Sequence, residues 1–513
     1  MTLHRAAGVF LHPTSLPSPF GIGDLGDDAI RWLDLLYKYD HTYWQVCPLS
    51  PTGFGDSPYQ SLSSFAGNPL LISPARLLED GLLRQSDFRD YPRLPEARVD
   101  FGSVIRAKDR LFRVAFSRFE DNSAFRTFCR RERYWLEDYA LFRVLKDLHG
   151  GKPWTEWKDE YRLRRRASLR QVSKEHADSI RYHQFLQYIF YTQWSALRAH
   201  AGMLGIRILG DLPIYVSFDG ADTWASPELF EFDDQGRPLR VAGVPPDYFS
   251  KDGQLWGNPL YRWEAMRADG YAWWIARITQ TLERLDLVRL DHFRAFESYW
   301  AVPANSPTAV RGEWVKGPGI ELFVAIKRAL GSLPLVAEDL GLITDEVVAL
   351  REAAGLPGMK VLQFAFDGNL DNPYLPYNVP ADSVMYTGTH DNDTTVGWFT
   401  SAPEYDKAQV CEYLDCQGAQ FWGPFLRMAY AAPSRVCIVP LQDILALGSE
   451  HRMNTPGQSE GNWQWRFRWD MIREDHFAMV KRFAAFYGRT PPKTLDGKAK
   501  RETDNTHPFN GPR

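Results

Sequence analysis

Eight short apolar runs recur along the chain, at residues 8–11, 43–48, 205–211, 287–291, 335–339, 359–364, 383–391 and 435–440. Stretches with helical spacing separate or follow them, at 27–39, 187–200, 273–285, 322–330, 345–354, 407–414, 425–430 and 470–486. Apolar strands alternating with helices are the mark of a parallel sheet buried on both faces. Eight such units close a barrel, and a barrel with insertions reaches the 513 residues of this chain. The pattern therefore predicts one α/β domain over 1–513, a (β/α)8 TIM barrel with helical insertions around its C-terminal rim. Charged, helix-favouring sequence makes 60–200 an insertion between the second and third strands, and 217–272 a loop insertion at the same rim. The polar tail 489–513, with Pro, Gly and scattered charge, has too little apolar surface to pack and is expected to be flexible.

Charge interrupts these runs at one end. In the run Leu287-Val288-Arg289-Leu290-Asp291, Arg289 and Asp291 lie two apart, which puts both side chains on one face of a strand. Such a pair is costly in an apolar setting unless it is matched or employed. A structural ion pair at the barrel end is one reading; a functional group is the other. Runs ending in Asp211, in Glu338-Asp339 and in His390-Asp391 favour the second, because the C-terminal ends of barrel strands form the active face.

Asp291 and Glu338 end consecutive strands, which in a sheet stand about 4.8 Å apart. Their carboxyl groups would then be roughly 5–6 Å apart, near the ~5–5.5 Å of retaining glycosidases. Opposite charge from Arg289 favours the carboxylate form of Asp291 and suits it as nucleophile. Glu338, near Asp291 and beside Asp339, gains proton affinity from that negative charge and suits general acid and then general base. Asp391, farther round the barrel, is placed to hold sugar hydroxyls and steady a charged ring. His390 can donate to the same sugar or be structural, and Asp211 can fix Arg289.

The aromatic content, 18 Trp, 23 Tyr and 31 Phe, exceeds what a core needs and suits a cleft where ring faces stack on sugars. Tyr59 lies in a polar loop after the second strand. Tyr248, Phe249 and Trp256 lie in a turn-rich loop at 242–259, as a sugar-stacking flap or as aromatics that pin the loop down. A net charge of −4 disfavours nucleic acid as partner. The GxGxxG match at 21–26 lies beyond a Pro-rich loop and so lacks the tight strand-turn-helix setting of a dinucleotide site. No Cys/His cluster with metal-ligand spacing occurs, the five cysteines are scattered, and Pro13 comes before any signal-peptide core. These features predict a cytoplasmic protein without metal or membrane span.

Six motifs in order, 55–60, 210–216, 244–256, 289–294, 337–341 and 388–394, give the chain its resemblance to the amylomaltases, the 4-α-glucanotransferases of the α-amylase clan. The resemblance covers essentially the whole chain. It implies a (β/α)8 barrel without a separate C-terminal β-domain, and transfer of α-1,4-glucan segments between maltooligosaccharides through a covalent glycosyl-enzyme, with no cofactor. It also implies Asp291 as nucleophile, Glu338 as acid/base and Asp391 as transition-state stabiliser. Tyr59, Asp211, Tyr248, Phe249, Trp256, Arg289 and His390 would then bind substrate. A retaining α-1,4-glucan hydrolase of the same clan and a non-catalytic glucan-binding protein are the competing readings.

Overall fold

The structure, a computed structural model, describes residues 3–246, 250–458 and 460–491. The tail from 492 onward lies outside the described residues, as do Tyr248 and Phe249. The described strands are β1 (Ala6–Phe10), β2 (Tyr43–Gln45), β3 (Arg207–Pro213), β4 (Arg240–Val244), β5 (Gln254–Pro259) and β6 (Leu287–Asp291). Then come β7 (Ser298–Pro303), β8 (Glu313–Lys316), β9 (Leu335–Ala337), β10 (Gly358–Val361), β11 (Ser383–Tyr386) and β12 (Val436–Pro440).

The eight apolar runs supply the barrel, in the order β10-β11-β12-β1-β2-β3-β6-β9 with every paired neighbour parallel. The ring closes where the Ala337 N–H at the end of β9 donates to the Pro357 carbonyl just before β10, at 2.8 Å. β1, β9, β11 and β12 are buried at every position, which is why their sequences lack the polar alternation of a half-exposed sheet. At Gly8 a Cβ would come 2.6 Å from the Tyr43 carbonyl oxygen, so glycine lets β1 and β2 close up.

The helices explain themselves in the same way. Asp27–Lys38 begins with Asp27 and Asp28 and ends on Lys38, matching the helix dipole, and buries Ala29, Trp32, Leu33 and Leu36 on one face. Asp345–Ala354 stops at Gly355, whose φ of +66° is open to glycine and unfavourable for most residues. Between β2 and β3 the chain is mainly helical and finishes in the long helix Ala177–Met203. Gln187 binds both the N–H and the carbonyl of Gly67 (2.7 and 2.9 Å), and Gln193 does the same at Ser73 (2.7 and 3.2 Å), so two buried amides tie that helix to loop backbone. The basic stretch 162–170 spans the break between the helices Asp159–Arg162 and Arg166–Glu175. Arg162 is buried on the Gln235 carbonyl, and Arg164, at φ +50°, breaks the helix to reach Asp138 and stack over Trp224.

Two features depart from the local pattern. β4, β5, β7 and β8 form an antiparallel sheet in the order β5-β4-β7-β8, built from the loops that follow β3 and β6. And Arg489, fully buried, donates to the carbonyls of Ala6, Tyr430, Ala432 and Arg435, which fastens the end of the last helix across β1 and the approach to β12.

Candidate active site

The cleft forms where β3, β6, β9 and the loop after β11 bring their polar residues together. Strand register does the first part: Asp211 stands opposite Arg289, and Leu290 opposite Ala337, so Asp291 and Glu338 are the next residues on adjacent strands. Asp211 lies inside β3 rather than at its end, and Asp391 lies on a loop past the end of β11.

Arg289 is the hub. Its Nη1 donates to Asp211 Oδ2 at 2.5 Å, its Nη2 meets Asp291 Oδ1 at 2.8 Å, and its Nε approaches the Met359 sulfur at 3.5 Å. Burial opposes the guanidinium charge, but Asp211 and Asp291 outweigh it and hold the group firmly cationic. The ion pair of the sequence is therefore real, and it is a three-member one, with Asp211 fixing the arginine from behind. The Tyr59 hydroxyl also donates to Asp211 Oδ2, at 2.7 Å.

Glu338 faces a different setting. Chain direction reverses sharply at His292, whose φ of +52° is strained for a residue with a side chain. That turn aims the His292 N–H at Glu338 Oε2 (2.7 Å), while the Leu340 N–H reaches Oε1 (3.0 Å). Burial is the largest influence on Glu338 and Asp291 adds to it; Arg289 and the two N–H groups pull the other way, and the pKa settles at about 7. Of the two negative neighbours expected from the sequence, Asp291 acts on Glu338, whereas the Asp339 carboxylate turns away to the Met359 N–H and toward Arg351 and Lys360. Local sequence order does not reveal which side of the strand a carboxylate takes once the strand has ended.

The third carboxylate is anchored from elsewhere. Asp391 Oδ2 lies 3.3 Å from His390 Nε2, and Asp391 Oδ1 accepts from Asn454 Nδ2 at 2.6 Å. Against burial, which raises it, the charge of His390 together with the His390 and Asn454 hydrogen bonds holds the Asp391 carboxyl well below the usual range. Burial would discharge His390, but Asp391 keeps its pKa above the ordinary value. Tyr59 stacks on the His390 ring (4.9 Å between centroids, 20° between planes), and Trp463 packs 5.7 Å from both. Trp256, on β5, meets the His292 ring edge-on at 4.8 Å and so stands over the turn that serves Glu338.

The structure thus gathers Tyr59, Asp211, Arg289, Asp291, His390 and Asp391 into one network, with Glu338 beside Asp291 and Trp256 above it. Met359, Arg452, Asn454 and Trp463 belong to the same site and carry no local signal, since Met359 is one apolar residue of the buried strand β10 and the other three lie in irregular, turn-rich sequence after β12. No described group of His, Cys, Asp and Glu is arranged to hold a metal ion, and no described helix is long and apolar enough to cross a membrane. Two carboxyl groups at the ends of adjacent strands, one ion-paired and partly open, the other buried with its pKa raised far above the ordinary carboxyl value, can attack a carbon and deliver a proton in the same step.

Comparison with known proteins bears on that chemistry. The 4-alpha-glucanotransferase family model matches residues 11–472. The chain is 50% identical over 499 residues to the 4-alpha-glucanotransferase of Thermus thermophilus, covering 94% of this chain and 99% of that one. It is 48% identical over 497 residues to its counterpart from Synechocystis, covering 94% and 98%. Among solved structures, the amylomaltase from Streptococcus agalactiae in complex with acarbose superposes with a TM-score of 0.92 at 38% identity, covering 95% of this chain and all of that one.

Proposed function

We infer, for a chain that belongs to the 4-alpha-glucanotransferase family, a retaining double displacement with Asp291 as nucleophile, Glu338 as acid/base and Asp391 as stabiliser of the transition state. The activity is transfer of α-1,4-glucan segments. Maltooligosaccharides and longer α-1,4-glucans serve as donor and acceptor. The observation that carries the mechanism is the register that sets Asp291 beside Glu338 in unlike surroundings.

In the first step an Asp291 carboxylate oxygen bonds to the anomeric carbon as the glycosidic C–O bond breaks. The leaving oxygen takes the proton of Glu338. In the second step the 4-OH of an acceptor glucan gives its proton to Glu338, and its oxygen displaces Asp291 from the anomeric carbon. Arg289 grips one oxygen of Asp291, braced by Asp211, so the carboxylate is already aligned before substrate arrives. Positive charge builds on the sugar ring in the transition state of each step, and the fixed negative charge of Asp391 offsets it. Tyr59, His390 and Trp256 line the sugar site, the polar atoms of Tyr59 and His390 being engaged with Asp211 and Asp391.

Water can replace the acceptor in the second step, which would make the same site a hydrolase. Incubation with maltotriose separates the outcomes. Transfer yields a ladder of longer and shorter maltooligosaccharides with almost no gain in reducing ends, whereas one new reducing end per bond broken would refute the transfer mechanism.

A pH profile follows from Glu338. Its proton is needed for the first step, and its pKa of about 7 lies far above the ordinary carboxyl value because of burial. The rate kcat/KM is expected to fall on the alkaline side with a midpoint near pH 7, since deprotonation of the free enzyme removes the acid. An alkaline midpoint that stays in place in a Glu338→Gln variant would assign that limb to another group.

A further inference from the structure

Asp391 presents a mechanical problem that its neighbours in the barrel do not. Its side chain is 46% exposed, and it sits on a loop beyond the end of β11 rather than on a strand. A carboxylate in that position is free to rotate, and a charge that wanders by an ångström loses much of its effect on a transition state. His390 reaches only one of its oxygens, at 3.3 Å.

Apart from the Asp391 N–H, which donates to Thr389 Oγ1 at 3.2 Å, the remaining hydrogen bonds come from one short segment after β12. Asn454 Nδ2 donates to Asp391 Oδ1 at 2.6 Å, the Asn454 backbone N–H donates to the His390 carbonyl at 3.1 Å, and Arg452 Nη2 donates to the Asp391 carbonyl. Arg452 Nε also donates to the Asn454 carbonyl at 2.8 Å, which stiffens the segment itself. The Trp463 N–H closes on the Met453 carbonyl at 2.8 Å, so Asn454 stands at the neck of a loop rather than at its tip.

We propose that Asn454 is a positioning residue for the transfer reaction, holding the Asp391 carboxylate in the plane and direction the transition state requires, with Arg452 fixing the main chain beneath it. The proposal rests on the role given to Asp391 above. With His390 on one oxygen and Asn454 on the other, both rotations of the side chain are pinned, and the second donor comes from a different loop, after β12. The amide suits the task because it can donate without adding a charge that would cancel the carboxylate.

The test is a set of purified full-length variants assayed on maltotriose, with Asp391→Asn measured beside them. Asn454→Ala is expected to lower kcat about 10- to 100-fold with KM little changed, the size of one hydrogen bond to a charged group. Asn454→Asp is the sharper variant. It keeps the shape and the backbone bonds but sets a carboxylate against a carboxylate, so the acid limb of the kcat profile is expected to move to higher pH. The other groups that face Asp391 are unchanged by it: His390 on its own loop, Arg289 from β6, Cys47 after β2 and Arg452. Asn454→Gln, which restores an amide, is expected to recover part of the lost kcat.

A residue that only held the loop together would leave the acid limb in place in Asn454→Asp and would not be rescued by glutamine. That result, or wild-type kcat in Asn454→Ala while Asp391→Asn is inactive, overturns the clamp and leaves the role of Asp391 standing. Wild-type turnover in Asp391→Asn overturns both. If Asn454→Ala fails to fold, the pH shift of Asn454→Asp still decides.

Discussion

Replacing Asp291 by asparagine is expected to lower turnover on maltotriose by about 10⁴- to 10⁶-fold, the range seen when a covalent nucleophile is removed from a site that is otherwise intact. The amide keeps the volume and an oxygen for Arg289 Nη2, which now reaches Asp291 Oδ1 at 2.8 Å. What disappears is the anionic oxygen that must bond to the anomeric carbon. The variant should fold normally, because Arg289 keeps Asp211 at 2.5 Å and Asp211 keeps the Tyr59 hydroxyl. Rates from the maltotriose ladder, with a melting curve as control, check it. Turnover at the wild-type rate in a folded Asp291→Asn protein would show that another group makes the covalent bond.

The second large effect belongs to Glu338, and it is conditional on the donor. With maltotriose, Glu338→Gln is expected to lose roughly 10²- to 10⁴-fold, as for other proton-transfer residues. With an α-maltosyl fluoride donor, the leaving group departs without a proton, so the first step recovers. The second step still needs a base to take the proton from the acceptor hydroxyl, and glutamine is none. The glycosyl-enzyme should therefore accumulate, visible by mass spectrometry as an adduct on the peptide that contains Asp291. An equal loss with both donors and no adduct would mean that Glu338 does not handle the proton.

What the amino-acid sequence discloses depends on the range of the interaction involved. The barrel is legible because each strand carries its own burial in a continuous apolar run, as in β12, Val436–Pro440, where every residue is buried. The Arg289–Asp291 pair is legible because it lies within one strand and strand period is two. The sheet of β4, β5, β7 and β8 is not, since its inner strands β4 and β7 come from separate loops and its edge strands β5 and β8 are largely exposed and look like turn sequence. Nor is the cause of Glu338's proton affinity. It comes mainly from burial, to which the expected charge of Asp291 adds, while the neighbouring Asp339 points elsewhere. Asn454 shows the limit most plainly: 63 residues separate it from the carboxylate it holds, and nothing in Met453-Asn454-Thr455-Pro456 marks it.

The closing of the barrel has a cost in time. β1 has β12 as its partner, and Arg489 binds the Ala6 carbonyl from 483 positions farther along the chain. At about 5–20 residues per second, a ribosome needs roughly half a minute to a minute and a half to travel that far. Through that interval β1 has emerged with one edge unpaired, fully apolar and available to any other strand. The newly made chain is thus most open to aggregation before its last helix appears, and the slower the synthesis, the longer that exposure lasts.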